Sequence, residues 1–151
     1  MAVSPIPEGY QSIIPSLNVR DGEAAIAFYA AAFDAHEQFC MTGPDDKVMH
    51  SELLIGDCVF FLAEEAPEWD ALSPQTLGGC PMSLNMYTKD CDALTARAVA
   101  AGATILREPT NYSWGERSSL VLDPFGYRWG ICTRIEEVSP EEIARRLREE
   151  M

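Results

Sequence analysis

The chain has 151 residues, 47% apolar and 23% charged, the balance of one globular domain large enough to bury a core without staples. Twenty-four acidic residues against 11 basic ones give a formal net charge of −13, which repels phosphate backbones and anionic lipid surfaces and argues against nucleic-acid or membrane partners. No apolar run reaches the roughly 18 residues a bilayer span needs, no leader-like segment opens the chain, and the five cysteines form no C-x-x-C pair, so a cytoplasmic protein without disulfides is expected.

In chain order, IIPSLNV (13–19) reads as a first strand, and Asp21-Gly22 opens a helix over about 22–33. Ile26, Tyr29, Ala30 and Phe33 stand at the i, i+3, i+4, i+7 spacing of one buried helix face. Strand-like runs follow at 35–41, 48–55 and 58–64, with Gly43-Pro44-Asp45-Asp46 and Gly56-Asp57 supplying the turns. The stretch EAPEWDALSPQTLGGC (65–80) has no sustained period and reads as a connecting loop, which Trp69 and Leu72 are expected to anchor. MSLNMYT (82–88) is the next strand, and Asp90 caps a helix over about 91–101 whose apolar face is Leu94, Ala98 and Ala101, stopped by Gly102. Runs at 103–109, 118–123 and 127–133 complete the set, the last two joined across Pro124-Phe125-Gly126. The tail SPEEIARRLREEM predicts a helix over about 139–150, with Ser139 at the N-cap, Pro140 at N1, Glu142 at N3 and a narrow Ile143/Leu147 stripe.

The chain states one pattern twice. Leu17-Asn18-Val19 returns as Leu84-Asn85-Met86, and the order strand, helix, three strands returns with it, about 67 residues later. The expectation is an α+β chain of two tandem βαβββ modules, at about 10–64 and 81–134, joined by the 65–80 linker and followed by the C-terminal helix.

Tandem modules carrying PIPEGY (5–10), AIAFYAAAFDA (25–35), VMHSELLIGD (48–57), SPQTLGG (73–79), DALTARAVAAGAT (92–104), GERSSLVLDPFGYRWGICT (115–133) and EEVSPEEIARR (136–146) are similar to the vicinal oxygen chelate superfamily, which includes glyoxalase I, bleomycin resistance proteins and extradiol dioxygenases. Within it the chain resembles the PhnB-like branch. The resemblance implies a single domain, 1–151, whose curved mixed sheet encloses a cleft, and a homodimer. In metal-using members it also implies a divalent ion, held from the first and fourth strands of each module, that chelates two neighbouring substrate oxygens as a Lewis acid. Aligned by motif, those four positions fall at Ile14, Phe61, Ser83 and Gly130, and none of these is a ligand for such an ion. No metal site of the usual kind and no cofactor is therefore expected.

Other residues carry the candidate chemistry. A period of two puts His50 and Glu52 on one face of the strand 48–55, where an imidazole and a carboxylate suit acid–base work. His36, beside Glu37, reads as a surface residue. Phe61 and Trp129 are candidate aromatic walls, and TNYSWGERSS (110–119) reads as a site-like loop, with Tyr112 and Trp114 to stack, Glu116 to hydrogen-bond and Arg117 to clamp an anionic group. No phosphate-binding loop, dinucleotide fingerprint or nucleophile elbow is present. The expected function is binding of a small organic ligand in an aromatic-lined cleft. The alternative is a lyase, isomerase or dioxygenase, using either the His50/Glu52 pair or a non-standard divalent site completed by Asn85, Glu108 or Glu116. A third reading is an accessory protein with a vestigial cleft.

Overall fold

Asp21 and Asp90 do the same work at two places in the chain. Each sits in extended backbone, and its carboxylate accepts the amide N–H three residues on, Ala24 and Ala93, at 3.0 Å. That contact satisfies one of the orphan donors at a helix start. The computed structural model describes residues 2–151, which divide into an N-terminal unit ending at Gly79 and a C-terminal unit starting at Cys80.

The N-terminal unit contains β1 (Ser16–Val19), α1 (Gly22–Phe33), β2 (His36–Thr42), β3 (Val48–Ile55) and β4 (Cys58–Glu64), in a sheet of order β1-β4-β3-β2. β1 runs parallel to β4, and the other pairs are antiparallel. The C-terminal unit repeats this with β5 (Ser83–Tyr87), α3 (Cys91–Ala101), β6 (Thr104–Tyr112), β7 (Glu116–Leu122) and β8 (Arg128–Arg134), ordered β5-β8-β7-β6 with β5 parallel to β8. The helix α4 (Pro140–Glu150) follows, with Ser139 capping it through Glu142 N at 3.2 Å. The repeat read from the sequence is thus a repeat of topology.

The helix faces differ from their predicted stripes. On α1 the buried residues are Gly22, Ala25, Phe28, Tyr29, Ala32 and Phe33, while Ala30 is exposed. The stripe rotates because Phe28 and Tyr29 both go inward, Tyr29 being wholly buried and meeting Phe60 edge-on at 5.5 Å. On α3 the buried residues are Cys91, Thr95 and Ala98. Thr95 is admitted because its hydroxyl reaches the Cys91 carbonyl and Ser119 Oγ, both at 2.6 Å, leaving no polar atom stranded.

The linker is more structured than its composition suggests. It holds a short 3-10 turn (Pro67–Trp69) and a one-turn helix α2 (Pro74–Leu77), capped by Ser73. Glu65 organises it, accepting from Ser73 N at 2.8 Å and Thr76 Oγ1 at 2.7 Å, and these bonds hold its carboxyl down at about 2. Trp69 does not anchor the loop, because its side chain is 82% exposed. Residues 110–119 are not one loop either: β6 and β7 pair as far as Tyr112 opposite Glu116, leaving only Ser113–Gly115 as the turn. Among the described residues no helix is long and apolar enough to cross a membrane.

Candidate functional site

In the N-terminal unit, alternation along β3 sends Ser51 and Leu53 into the helix-side core, at 0% and 1% exposure, and turns His50 and Glu52 to the open face. Register then builds a cluster: Phe61 on β4 lies opposite Glu52 on one side and Ser16 on the other. His50 meets Phe61 edge-on, with ring centroids 4.9 Å apart. On β2, Phe39 stands opposite Glu52 and Met41 opposite His50, leaving two exposed apolar side chains beside the cluster.

Tyr10, from the arm before β1, completes the group. Its ring packs on Phe61 at 5.8 Å and its hydroxyl donates to Glu52 Oε1. That bond to a carboxylate pushes the phenol's pKa up. Gln11 ties the arm to β4, accepting from Val59 N at 3.2 Å and donating to the Val59 carbonyl. The same Glu52 oxygen stands 3.5 Å from His50 Nε2, at the outer limit of a hydrogen bond. A carboxylate, a phenol, an imidazole and a phenyl ring thus share one partly buried patch. It can hydrogen-bond a polar group and stack an apolar one, and its imidazole and carboxylate can exchange a proton.

The open face of the C-terminal sheet carries a second cluster. Tyr87 O–H donates to Glu116 Oε1 at 2.5 Å, and Trp114 Nε1–H donates to Glu116 Oε2 at 3.2 Å. Tyr112 stacks on Trp114 with centroids 4.4 Å apart and planes at 14°. The turn that presents Trp114 requires Gly115: its φ is +92°, and a Cβ there would lie 2.5 Å from the Glu136 carbonyl oxygen. The Gly115 carbonyl accepts from Ile135 and Glu136 N–H, and Arg146 of α4 donates to the Ser113 carbonyl at 3.1 Å.

Two predicted ligand contacts do not reach this face. Arg117 follows Glu116, so the pleat sends it toward α3, where its Nε and Nη2 donate to Asp92 at 2.6 and 2.8 Å and its Nη1 to Asn111 at 2.9 Å. Trp129 also points to the helix side. It is 4% exposed, and its indole N–H is donated to Asp123 Oδ2 at 2.9 Å. Both are corrections to the sequence reading, and both follow from strand parity. His36 is a surface residue, 3.9 Å from Asp34.

The DPFG stretch is a structural turn. Asp123, 3% exposed, accepts from Phe125 N and Tyr127 N at 2.9 Å as well as from Trp129. The positions that would hold a family-type divalent ion do not fit one. Ile14 and Phe61 offer no donor atom, and Ser83 is no usual ligand. At Gly130 a Cβ would fall 2.1 Å from Asn85 Oδ1, so the neighbouring asparagine occupies the room a ligating side chain would need. Among the described residues no group of three or more His, Cys, Asp or Glu is placed to hold a metal ion.

The N-terminal unit also has an open cavity of about 440 Å³ beyond this cluster, lined by Asn18, Lys47, Met49, Ala63, Glu64 and Trp69 among others. It contains none of the predicted site residues, and its Glu64 carboxylate is engaged by Val48 N–H at 2.6 Å. Sequence reasoning missed Tyr10 and Tyr87 as site residues. Tyr10 lies 42 residues from Glu52 and has no local period to mark it. Tyr87 was legible, because it shares a strand face with Ser83 and Asn85.

Paired βαβββ units with these open faces define a glyoxalase-like class of fold. Residues 12–131 match the model of the Glyoxalase/Bleomycin resistance protein/Dioxygenase superfamily, and the chain belongs to that superfamily. It is 36% identical over 135 residues to the protein Mb0911c of Mycobacterium bovis, covering 87% of this chain and 89% of that one. Among solved structures it resembles TioX from Micromonospora sp. ML1, at a TM-score of 0.64 and 19% identity over 83% of this chain and 99% of the other. It also resembles the product of At5g48480 from Arabidopsis thaliana, at a TM-score of 0.65 and 26% identity over 81% and 98% of the two chains.

Proposed function

We propose that this chain is a PhnB-like member of its superfamily that binds a small organic molecule, without the four-ligand metal site. The observation that carries the reading is the cluster of Tyr10, His50, Glu52 and Phe61 on an open sheet face, flanked by the exposed apolar side chains of Phe39 and Met41. Aromatic walls with a few convergent polar groups suit a small, flat, partly polar ligand. The stacked Tyr112/Trp114 pair over Glu116 supports the same class of ligand on the C-terminal unit. The test is calorimetric titration with a panel of small aromatic alcohols, amines and acids. Saturable binding that Phe61→Ala and His50→Ala each weaken about tenfold supports the reading; no saturable binding by any member of the panel removes it. Elemental analysis of protein purified without added metal tests the second half, and a stoichiometric divalent ion overturns it.

A second reading, acid–base catalysis of a lyase or isomerase kind, is favoured by one feature: Glu52 Oε1 accepts from Tyr10 while it faces His50 Nε2. In that reading Glu52 orients the imidazole and His50 moves the proton. Turnover abolished by His50→Ala and by Glu52→Gln, with ligand affinity kept, selects it over simple binding.

A further inference from the structure

Arg128 is half-buried on β8, and its Nε–H is buried with no hydrogen-bond partner. An unsatisfied buried donor is costly, and one belonging to a guanidinium is costlier still. The chain carries 24 acidic residues, yet none pairs with this side chain among the described residues. Arg117 and Arg146, by contrast, are fully engaged by Asp92, Glu136 and Glu142.

Strand parity places Arg128. Trp129 and Ile131 point into the helix-side core at 4% and 0% exposure, so Arg128 and Gly130 face the open side. Its parallel register partner is Ser83, and the next pair along is Asn85 opposite Gly130. Ser83 and Asn85 are exposed, and neither side chain has a hydrogen-bond partner among the described residues. On the other flank Arg128 and Gly130 lie opposite Leu122 and Leu120. A hydroxyl, a carboxamide and a guanidinium fork thus stand together, the Asn85 carboxamide lying over Gly130 where the glycine leaves it room, with the half-buried Leu122 alongside. No carboxylate faces the group from the register positions next to it on β5 or β7.

We propose that Ser83, Asn85 and Arg128 form an oxyanion subsite, which receives the carboxylate or phosphoryl group of a small organic ligand while its apolar part lies along Leu122. Guanidinium recognition of such groups is planar and bidentate, and the hydroxyl and amide supply further donors. The inference deepens the binding function proposed above, since it names the charged group of the ligand, but it uses residues of the C-terminal unit alone.

The experiment is isothermal titration of the full chain with phenylphosphonate and benzoate, and with benzyltrimethylammonium as the cationic counterpart. Saturable binding of either anion is expected, weaker at higher salt and roughly tenfold to a hundredfold weaker in Arg128→Ala. Arg128→Lys should recover part of the affinity as a point charge without the fork, and the surface variant Ser83→Ala/Asn85→Ala should weaken binding without disturbing the fold. Arg117→Ala, on the opposite face, should bind like the parent chain. Phenylphosphonate preferred over benzoate marks a phosphoryl ligand; the reverse marks a carboxylate. The proposal is overturned if neither anion binds saturably, if Arg128→Ala with an unchanged melting profile binds as tightly as the parent, or if the ammonium probe binds equally well. His50→Ala separates the two readings: anion affinity lost with Arg128 and indifferent to His50 leaves this subsite standing and the His50 site without support.

Discussion

The two units share an element order, a sheet order and a parallel first-to-fourth strand pairing, yet they solve the same packing problem with different chemistry. Beneath α1 the contact is aromatic, with Phe28, Tyr29 and Phe33 clustered together and Tyr29 set edge-on against Phe60. Beneath α3 it is small and polar, with Cys91 donating its S–H to the Ile131 carbonyl at 3.2 Å and Thr95 bonded to Ser119. The turns before the fourth strands differ as well. A two-residue Gly56-Asp57 turn serves one unit, whereas the other uses a longer turn wound around the buried carboxylate of Asp123. A topology constrains where side chains point far more tightly than which side chains they are.

That contrast is open to direct attack. The largest effect is expected from Tyr29→Ala, which removes a wholly buried aromatic side chain and should cost about 4 kcal/mol in urea unfolding. Asp123→Ala should cost about 3 kcal/mol, because it strands two backbone N–H groups and an indole N–H in a buried turn; its counterpart Asp57→Ala, on an exposed turn, should stay within about 0.5 kcal/mol. Equal costs at these two turns would show that the units are built alike after all. Thr95→Val keeps the volume beneath α3 but breaks two hydrogen bonds, and about 1 kcal/mol is the expected loss of stability on the same unfolding curve.

The smallest effects belong to acid titration. Glu65 in the linker and Glu142 in α4 are both held at about 2, Glu65 by hydrogen bonds from Ser73 and Thr76 and Glu142 by those from Arg145 and Arg146. A depressed folded-state value means that each carboxylate stabilises its segment above the usual carboxylate range and loses that contribution as pH falls toward about 2. The protection of the Ser73 amide against exchange, relative to its intrinsic rate at each pH, should therefore fall over that window in the parent chain, and Glu65→Gln should show the lower protection already at neutral pH. Protection at Ser73 that ignores both pH and the substitution would mean that Glu65 does not hold the linker.

Much of the fold was legible because its signals were local. The caps at Asp21, Asp90 and Ser139, the turn at Gly56-Asp57 and the β-α-β-β-β order each rest on residues within a few positions of one another. The site was legible only in part. His50 and Glu52 share a strand face as their spacing required, and Tyr112, Trp114 and Glu116 do come together. Arg117 falls in a run of attractive residues that reads as a loop, whereas a strand assigns alternate residues to opposite faces; Trp129 lies on its expected strand, but the sequence does not say which face of that strand meets the helix. Arg128 went unnoticed beside the DPFG turn, since a missing partner leaves no mark in a sequence. Tyr10 and the exposed Trp69 likewise depend on where distant segments come to rest.

The three tryptophans fall in three different solvents. Trp69 in the N-terminal unit is 82% exposed, while in the C-terminal unit Trp114 is 39% exposed and Trp129 is 4% exposed. Indole emission shifts to the red as water reaches the ring, so one excitation reads a wet linker, a half-wet turn and a dry sheet interior at once. Replacing them singly by phenylalanine resolves that spectrum into one optical reporter for the first unit and two for the second. Partial melting of either half then becomes visible as colour, with no label attached.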